Sequence, residues 1–156
     1  MAQTISVVVP VYDGVTQLDF TGPHQFLSRT PDVQVRVASL DGRPVTADRL
    51  TFSNLEDLGA IAACDVLLVP GGGGCLNAIE NDRFLEEIAR LGATARYLTS
   101  VCTGSLILGA AGFLRGRRAQ GPGHAGAPPR QPARHPGRAR DVGPAWRRRS
   151  TSASHG

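Results

Sequence analysis

Three short segments hold the residues that could do chemistry. Ser100-Val-Cys-Thr-Gly-Ser105 sets a thiol, Cys102, directly before a hydroxyl, Thr103, and a glycine. The segment lies between an apolar run and a helical one, and a nucleophile on such a strand-to-helix turn is held exposed in strained backbone. Free N–H groups and the dipole of a following helix favour thiolate over thiol. Gln17-Leu-Asp-Phe-Thr-Gly-Pro23 puts Asp19 between two apolar residues, just before a predicted helix. A carboxylate near the thiol could shuttle a proton. Pro70-Gly-Gly-Gly-Gly74 offers bare backbone that could approach a ligand and present N–H groups to a developing negative charge.

Each segment also has a plainer reading. Cys102 could be one more buried small residue. Asp19 could be a capping or loop carboxylate, and the glycines a turn. His24, one turn into the predicted helix, reads as solvated surface. The glycine run fails as a nucleotide site: no Gly-Lys-Ser/Thr follows it, and Leu76 stands where the dinucleotide pattern needs glycine. Cys64 reads as core and Cys75 as a neighbour of the pocket, neither with an assigned role.

The elements that must position these groups follow from periodicity. Ile5–Tyr12, Asp65–Val69 and Arg96–Val101 are short apolar runs that predict buried parallel strands. Val33–Ala38 alternates like a strand with one wetter face, and Val45–Phe52 predicts a small hairpin. A helix is predicted from Thr21 through about Arg29, with Pro23 in its first turn. A second runs over Asp82–Leu91 with Asp82 as cap, and a third over Thr103–Gly112 with Gly112 as stop. Alternating strands and helices predict an α/β domain with a parallel sheet. Ligands in such sheets bind beyond the carboxyl ends of the strands, where all three chemical segments fall.

Composition divides the chain. Its 156 residues suit one domain, but Met1–Arg118 carries 10 Arg against 12 acids, whereas Ala119–Gly156 carries 7 Arg against Asp141 alone. The net charge of +4 therefore comes from the second part. That part has no Leu, Ile, Phe, Met or Tyr, and cannot bury enough apolar surface to offset its ordering entropy. Residues 1–118 thus read as the α/β domain and 119–156 as a disordered Arg/Pro/Ala/Gly-rich tail. No run of about 18 apolar residues predicts a membrane span, and the N-terminus lacks the basic start of a secretory leader. Three cysteines without CxxC or zinc spacing fit a cytoplasmic chain with reduced thiols.

Together, QLDFTGP, DVLLVPGG and TSVCTGSLILGAAGFLRGRRA resemble the ThiJ/PfpI superfamily of the class I glutamine amidotransferase-like fold. Within it the resemblance is greatest to the bacterial isocyanide hydratases, and it runs from about Ile5 to Arg118. It implies a flavodoxin-like three-layer α/β sandwich with a mainly parallel sheet, incomplete at its C-terminus. It implies that Cys102 is the nucleophile, that Asp19 takes the place of the acidic residue contacting it, and that Thr103 is the hydroxyl residue beside it. Gly71 and Gly72 match the backbone N–H donors near the thiol. The implied reaction hydrates an isocyanide, a small-molecule substrate, to an N-substituted formamide. No cofactor or metal is implied, the intact family form is a homodimer, and neither a membrane nor nucleic acid is an expected partner.

The resemblance stops within a motif. After Arg118-Ala the expected Thr-rich, His-Trp-containing strand is replaced by Arg/Pro/Ala/Gly/His text, of the kind GC-rich DNA gives in a wrong frame. The expectation is a frameshift that removes the native C-terminal third and impairs activity. A basic tail that binds nucleic acid is the competing reading, but it has no recognition motif. Two rival functions remain. One is the sensor domain of a truncated AraC-type regulator, which carries similar Asp-x-x-Gly-Pro and Val-Cys-Thr-Gly segments. The other is a glyoxalase- or deglycase-like member, disfavoured because such members more often have Glu at position 19 and His beside the nucleophile.

Overall fold

The computed structural model describes residues 4–115. The expected break near Arg118 and the expected tail over 119–156 lie outside these residues. Five strands form one parallel sheet: β1 (Ile5–Pro10), β2 (Val33–Ser39), β5 (Glu56–Asp57), β6 (Val66–Val69) and β7 (Tyr97–Ser100), in the order β5-β2-β1-β6-β7. A separate antiparallel hairpin joins β3 (Val45–Ala47) to β4 (Leu50–Phe52). Its turn residues Asp48 and Arg49 both have positive φ, 48° and 69°, as a two-residue hairpin turn of the favoured hand requires. The helices are α1 (Gln17–Leu27), α2 (Cys75–Ile79), α3 (Asp82–Thr94) and α4 (Gly104–Ala110). The expected α/β class with a parallel sheet is what these elements form. None of the described helices is long and apolar enough to cross a membrane.

β1 is the middle strand, which explains why its apolar run is continuous. Val7, Val8 and Val9 are all buried because both faces of the strand are covered. Val7 pairs with Val35 on one side and Val66 on the other. The start of β6 is pinned to β1 by Asp65, whose carboxylate accepts the Ser6 N–H at 2.8 Å. α3 presents Phe84, Ile88 and Leu91 to the core at helical spacing.

Four expectations need correction. α1 starts at Gln17, four residues before the predicted start, so Asp19 lies in its first turn and Pro23 lies inside it. Pro23 has no N–H to return to the Asp19 carbonyl, a loss the helix tolerates because the surrounding turns hold. Asn81, not Asp82, caps α3: its side chain accepts the Phe84 N–H at 3.1 Å. β7 is not a buried strand, since Tyr97 is 54% exposed and Thr99 and Ser100 are exposed. Among the described residues β7 pairs only with β6, so its outer edge has no strand beside it. The short α2 was not predicted, because its start is masked by the glycines before it.

The strand order is what builds the site. β1, β6 and β7 are consecutive neighbours running the same way. The loops that leave their carboxyl ends are therefore adjacent in space, and these are the three segments singled out from the sequence.

Candidate active site

Cys102 has φ = +51°, in the left-handed region that L-residues other than Gly, Asn and Asp seldom adopt. The sharp turn arises because Val101 N–H still bonds back to Val69 of β6, at 3.0 Å, while Gly104 N–H already closes on Val101, at 3.0 Å. Only Val101, Cys102 and Thr103 separate the end of β7 from the start of α4. The turn leaves Cys102 exposed, whereas Cys64 and Cys75 are buried. Gly104 permits this approach, since a Cβ on it would lie 2.1 Å from the Val69 carbonyl oxygen.

Gly71 brings the other two segments to the elbow. A Cβ on Gly71 would lie 2.5 Å from the Thr103 nitrogen and 3.0 Å from the Cys102 Cβ. The Gly71 N–H donates to the Asp19 carboxylate, Oδ2, at 3.2 Å. The Gly72 N–H donates to the Thr103 hydroxyl oxygen at 3.0 Å, and the Gly71 carbonyl accepts the Thr16 N–H at 2.8 Å. Asp19, Thr103, Gly71 and Gly72 are thus gathered beside Cys102 through two successive peptide groups. Both glycine N–H groups are engaged by side chains of the site itself. Oδ1 of Asp19 accepts no hydrogen bond from the described residues.

The glycine run does less for a ligand than its bareness suggested. Gly71 fits against the elbow, and a Cβ on Gly74 would strike the Asp13 carbonyl oxygen at 1.9 Å. These residues are glycine because neighbouring backbone comes close. Only Gly73 faces open space.

One residue at the site was not read from the sequence, and a second, Cys75, was expected only as a neighbour of the pocket. Tyr12, at the end of the β1 run, donates its phenol O–H to the Pro70 carbonyl at 3.0 Å and packs edge-on against Phe84. Its ionisation is pushed well up, first by burial and then by the negative charges available at Cys75, Asp19 and Cys102. Cys75 Sγ lies 3.4 Å from the Thr103 carbonyl oxygen, to which the thiol donates. Burial raises this thiol's ionisation too, outweighing the hydrogen bond that lowers it. A polar tip at the carboxyl end of an apolar strand is the signal that marks Tyr12. His24 is exposed on α1, as its surface reading expected.

A concavity of about 240 Å³ lies beside this cluster, with Tyr12 in its wall. Its lining includes Asp13, Asp41, Arg43 and Arg83, and excludes Cys102, Asp19 and Thr103. Arg83 and Arg43 are exposed and already paired with Asp41, so the reactive groups converge at the elbow and not there. No group of His, Cys, Asp and Glu among the described residues could hold a metal ion.

The DJ-1/PfpI family model matches residues 5–124. The chain is 46% identical over 112 residues to an isonitrile hydratase of Pseudomonas putida, a match covering 70% of this chain and 48% of that protein. It therefore spans about half the length of that relative. Its structure is similar to a ThiJ/PfpI family protein from Pseudomonas syringae, with TM-score 0.69 and 37% identity, covering 74% of this chain and 49% of the other. It is also similar to an AraC family transcriptional regulator from Pseudomonas putida, with TM-score 0.56 and 29% identity, covering 70% and 62%.

Proposed function

The chain belongs to the DJ-1/PfpI family, and on that premise we propose that its elbow hydrates isocyanides to N-substituted formamides, with Cys102 as nucleophile. The observation that carries this reading is the Cys102 backbone, held at φ = +51° with its thiol exposed and with Asp19 and Thr103 tied to the adjoining glycines. The 46% identity to an isonitrile hydratase supports the choice of reaction.

The chemistry follows from the groups present. The isocyanide carbon is electrophilic towards a soft thiolate. Cys102 Sγ bonds to that carbon, leaving an electron pair on it. Asp19, carrying a proton on Oδ1, delivers it to that pair, giving a thioimidate with carbon bonded to sulfur, nitrogen and hydrogen. The Asp19 carboxylate then takes a proton from a water as its oxygen adds to the same carbon. Asp19 passes that proton to the nitrogen, the C–S bond breaks with the thiolate leaving on the bonding pair, and the hydroxyl proton returns to Asp19 as the C=O forms. The sum is isocyanide plus water giving N-substituted formamide. Thr103, its hydroxyl oriented by Gly72, is placed to hydrogen-bond the adding water. No step calls for a cofactor.

The test is formamide production from an alkyl isocyanide by the 156-residue chain and by Cys102→Ala. The expected loss is roughly 1,000-fold or more. Undiminished turnover in Cys102→Ala would sink the proposal.

A second reading, a sensor domain, is supported by the likeness to the AraC family regulator. A sensor binds its ligand without consuming it, so saturable isocyanide binding with no formamide released would favour this reading.

A further inference from the structure

We propose that Tyr12 is a positioning residue that holds Asp19 in place through the Pro70–Gly71 peptide. The inference rests on the reading of Asp19 as the proton-transferring group. The Tyr12 O–H donates to the Pro70 carbonyl at 3.0 Å, and the N–H of the same peptide group donates to Asp19 Oδ2 at 3.2 Å. A trans peptide is planar with its C=O and N–H pointing opposite ways. Fixing the oxygen at one edge therefore fixes the direction of the N–H at the other.

This peptide needs such an anchor. Gly71 has no side chain to resist rotation of the peptide before it. A flip would turn the Pro70 carbonyl towards the Asp19 carboxylate and replace an attraction by a repulsion. Pro70 is buried and has no N–H, so its carbonyl is the one backbone group it offers, and Tyr12 satisfies it. The phenol cannot easily leave, because Tyr12 is 8% exposed and its ring packs edge-on against Phe84 at 5.6 Å. Burial keeps the phenol protonated and so a donor. A hydrogen bond to the oxygen of an amide also polarises its N–H, which strengthens the bond to Asp19.

The test is a double-mutant cycle on the full 156-residue chain: wild type, Tyr12→Phe, Asp19→Asn and the double variant. Two rates are read at one fixed pH: hydration of an alkyl isocyanide, and alkylation of Cys102 by iodoacetamide, located by peptide mass. Tyr12→Phe alone is expected to change each rate about fivefold to tenfold, with KM within about twofold of wild type. In the Asp19→Asn background it should change them less than about twofold. Equal factors in both backgrounds, or no effect in either, overturn the proposal. Thr94→Ala removes the hydroxyl oxygen that accepts the Cys64 N–H at 3.3 Å, at the end of β6 opposite Pro70, and serves as the stability control. If it shifts alkylation as Tyr12→Phe does, the effect is one of stability and the proposal fails. The alkylation cycle needs no isocyanide turnover. Coupled alkylation together with undiminished formamide release from Cys102→Ala therefore overturns the hydratase reading and leaves the Tyr12–Asp19 link standing.

Discussion

Gly71 lies so close to Thr103 that a methyl group added to it would sit 2.5 Å from the Thr103 amide nitrogen. That nitrogen belongs to backbone, which cannot swing aside as a flexible side chain can. Gly71→Ala must therefore push the glycine loop and the elbow apart. The expected loss is about 1–3 kcal/mol of stability, the range for overpacking. It should come with disproportionate damage to Cys102 alkylation, because the same shift breaks the Asp19 and Thr103 bonds. Urea midpoints and alkylation rates check both. An Ala variant with both unchanged would mean the contact is looser than described.

Cys102 holds a backbone conformation that is strained for any residue with a side chain. Non-glycine residues in the left-handed region are disfavoured by about 1–2 kcal/mol, of which glycine's extra unfolded-state entropy returns about 0.5–1. Cys102→Gly should thus be more stable than Cys102→Ala by roughly 0.5–1 kcal/mol, with both equally devoid of turnover. Thermal unfolding of the pair decides it. Alanine equal to or above glycine in stability would show that φ = +51° is not strained here.

Much of this site was legible because its parts are local. A thiol between an apolar strand and a helix implies an elbow whatever the rest of the chain does, and the three neighbouring strands had readable runs. What escaped was set by contacts distant in sequence. Asp19 lies inside α1 and not before it, because Thr16 is tied to Gly71, 55 residues on, and this fixes where the helix begins. Tyr12 reads as the last residue of an apolar strand until Pro70, 58 residues away, receives its hydroxyl. β7 reads as buried from its residue types, yet exposure depends on what lies beside it. The glycine run shows the same limit. Its composition could not reveal that neighbouring backbone, and not a ligand, occupies the space.

Asn81 separates stability from chemistry. Its side chain accepts the Phe84 N–H, one of the orphan donors at the start of α3. Asn81→Ala should lower stability by about 1 kcal/mol. Cys102 alkylation and any isocyanide turnover should stay within about twofold of wild type at temperatures where the variant is folded. A large fall in alkylation of the folded variant would mean that α3 couples to the elbow.

Alkaline pH should destabilise the fold through buried groups other than Cys102. Burial raises the ionisation of Cys64 and Cys75 above their ordinary 9.0, and that of Tyr12 above its ordinary 10.0. The sign follows from proton counts. Above about pH 9 the unfolded chain has lost these thiol protons while the folded chain retains them, so the folded state binds more protons and stability falls as pH rises. Below about pH 8 both states are protonated and these groups contribute no slope. Each group, where fully protonated in one state and fully ionised in the other, steepens the fall by about 1.4 kcal/mol per pH unit. Urea unfolding at pH 7, 8, 9 and 10 should show a plateau and then a decline. Cys75→Ala should flatten the limb from near pH 9 and Tyr12→Phe only from near pH 10. A limb that stays equally steep in both variants would mean that neither group's burial controls the alkaline transition.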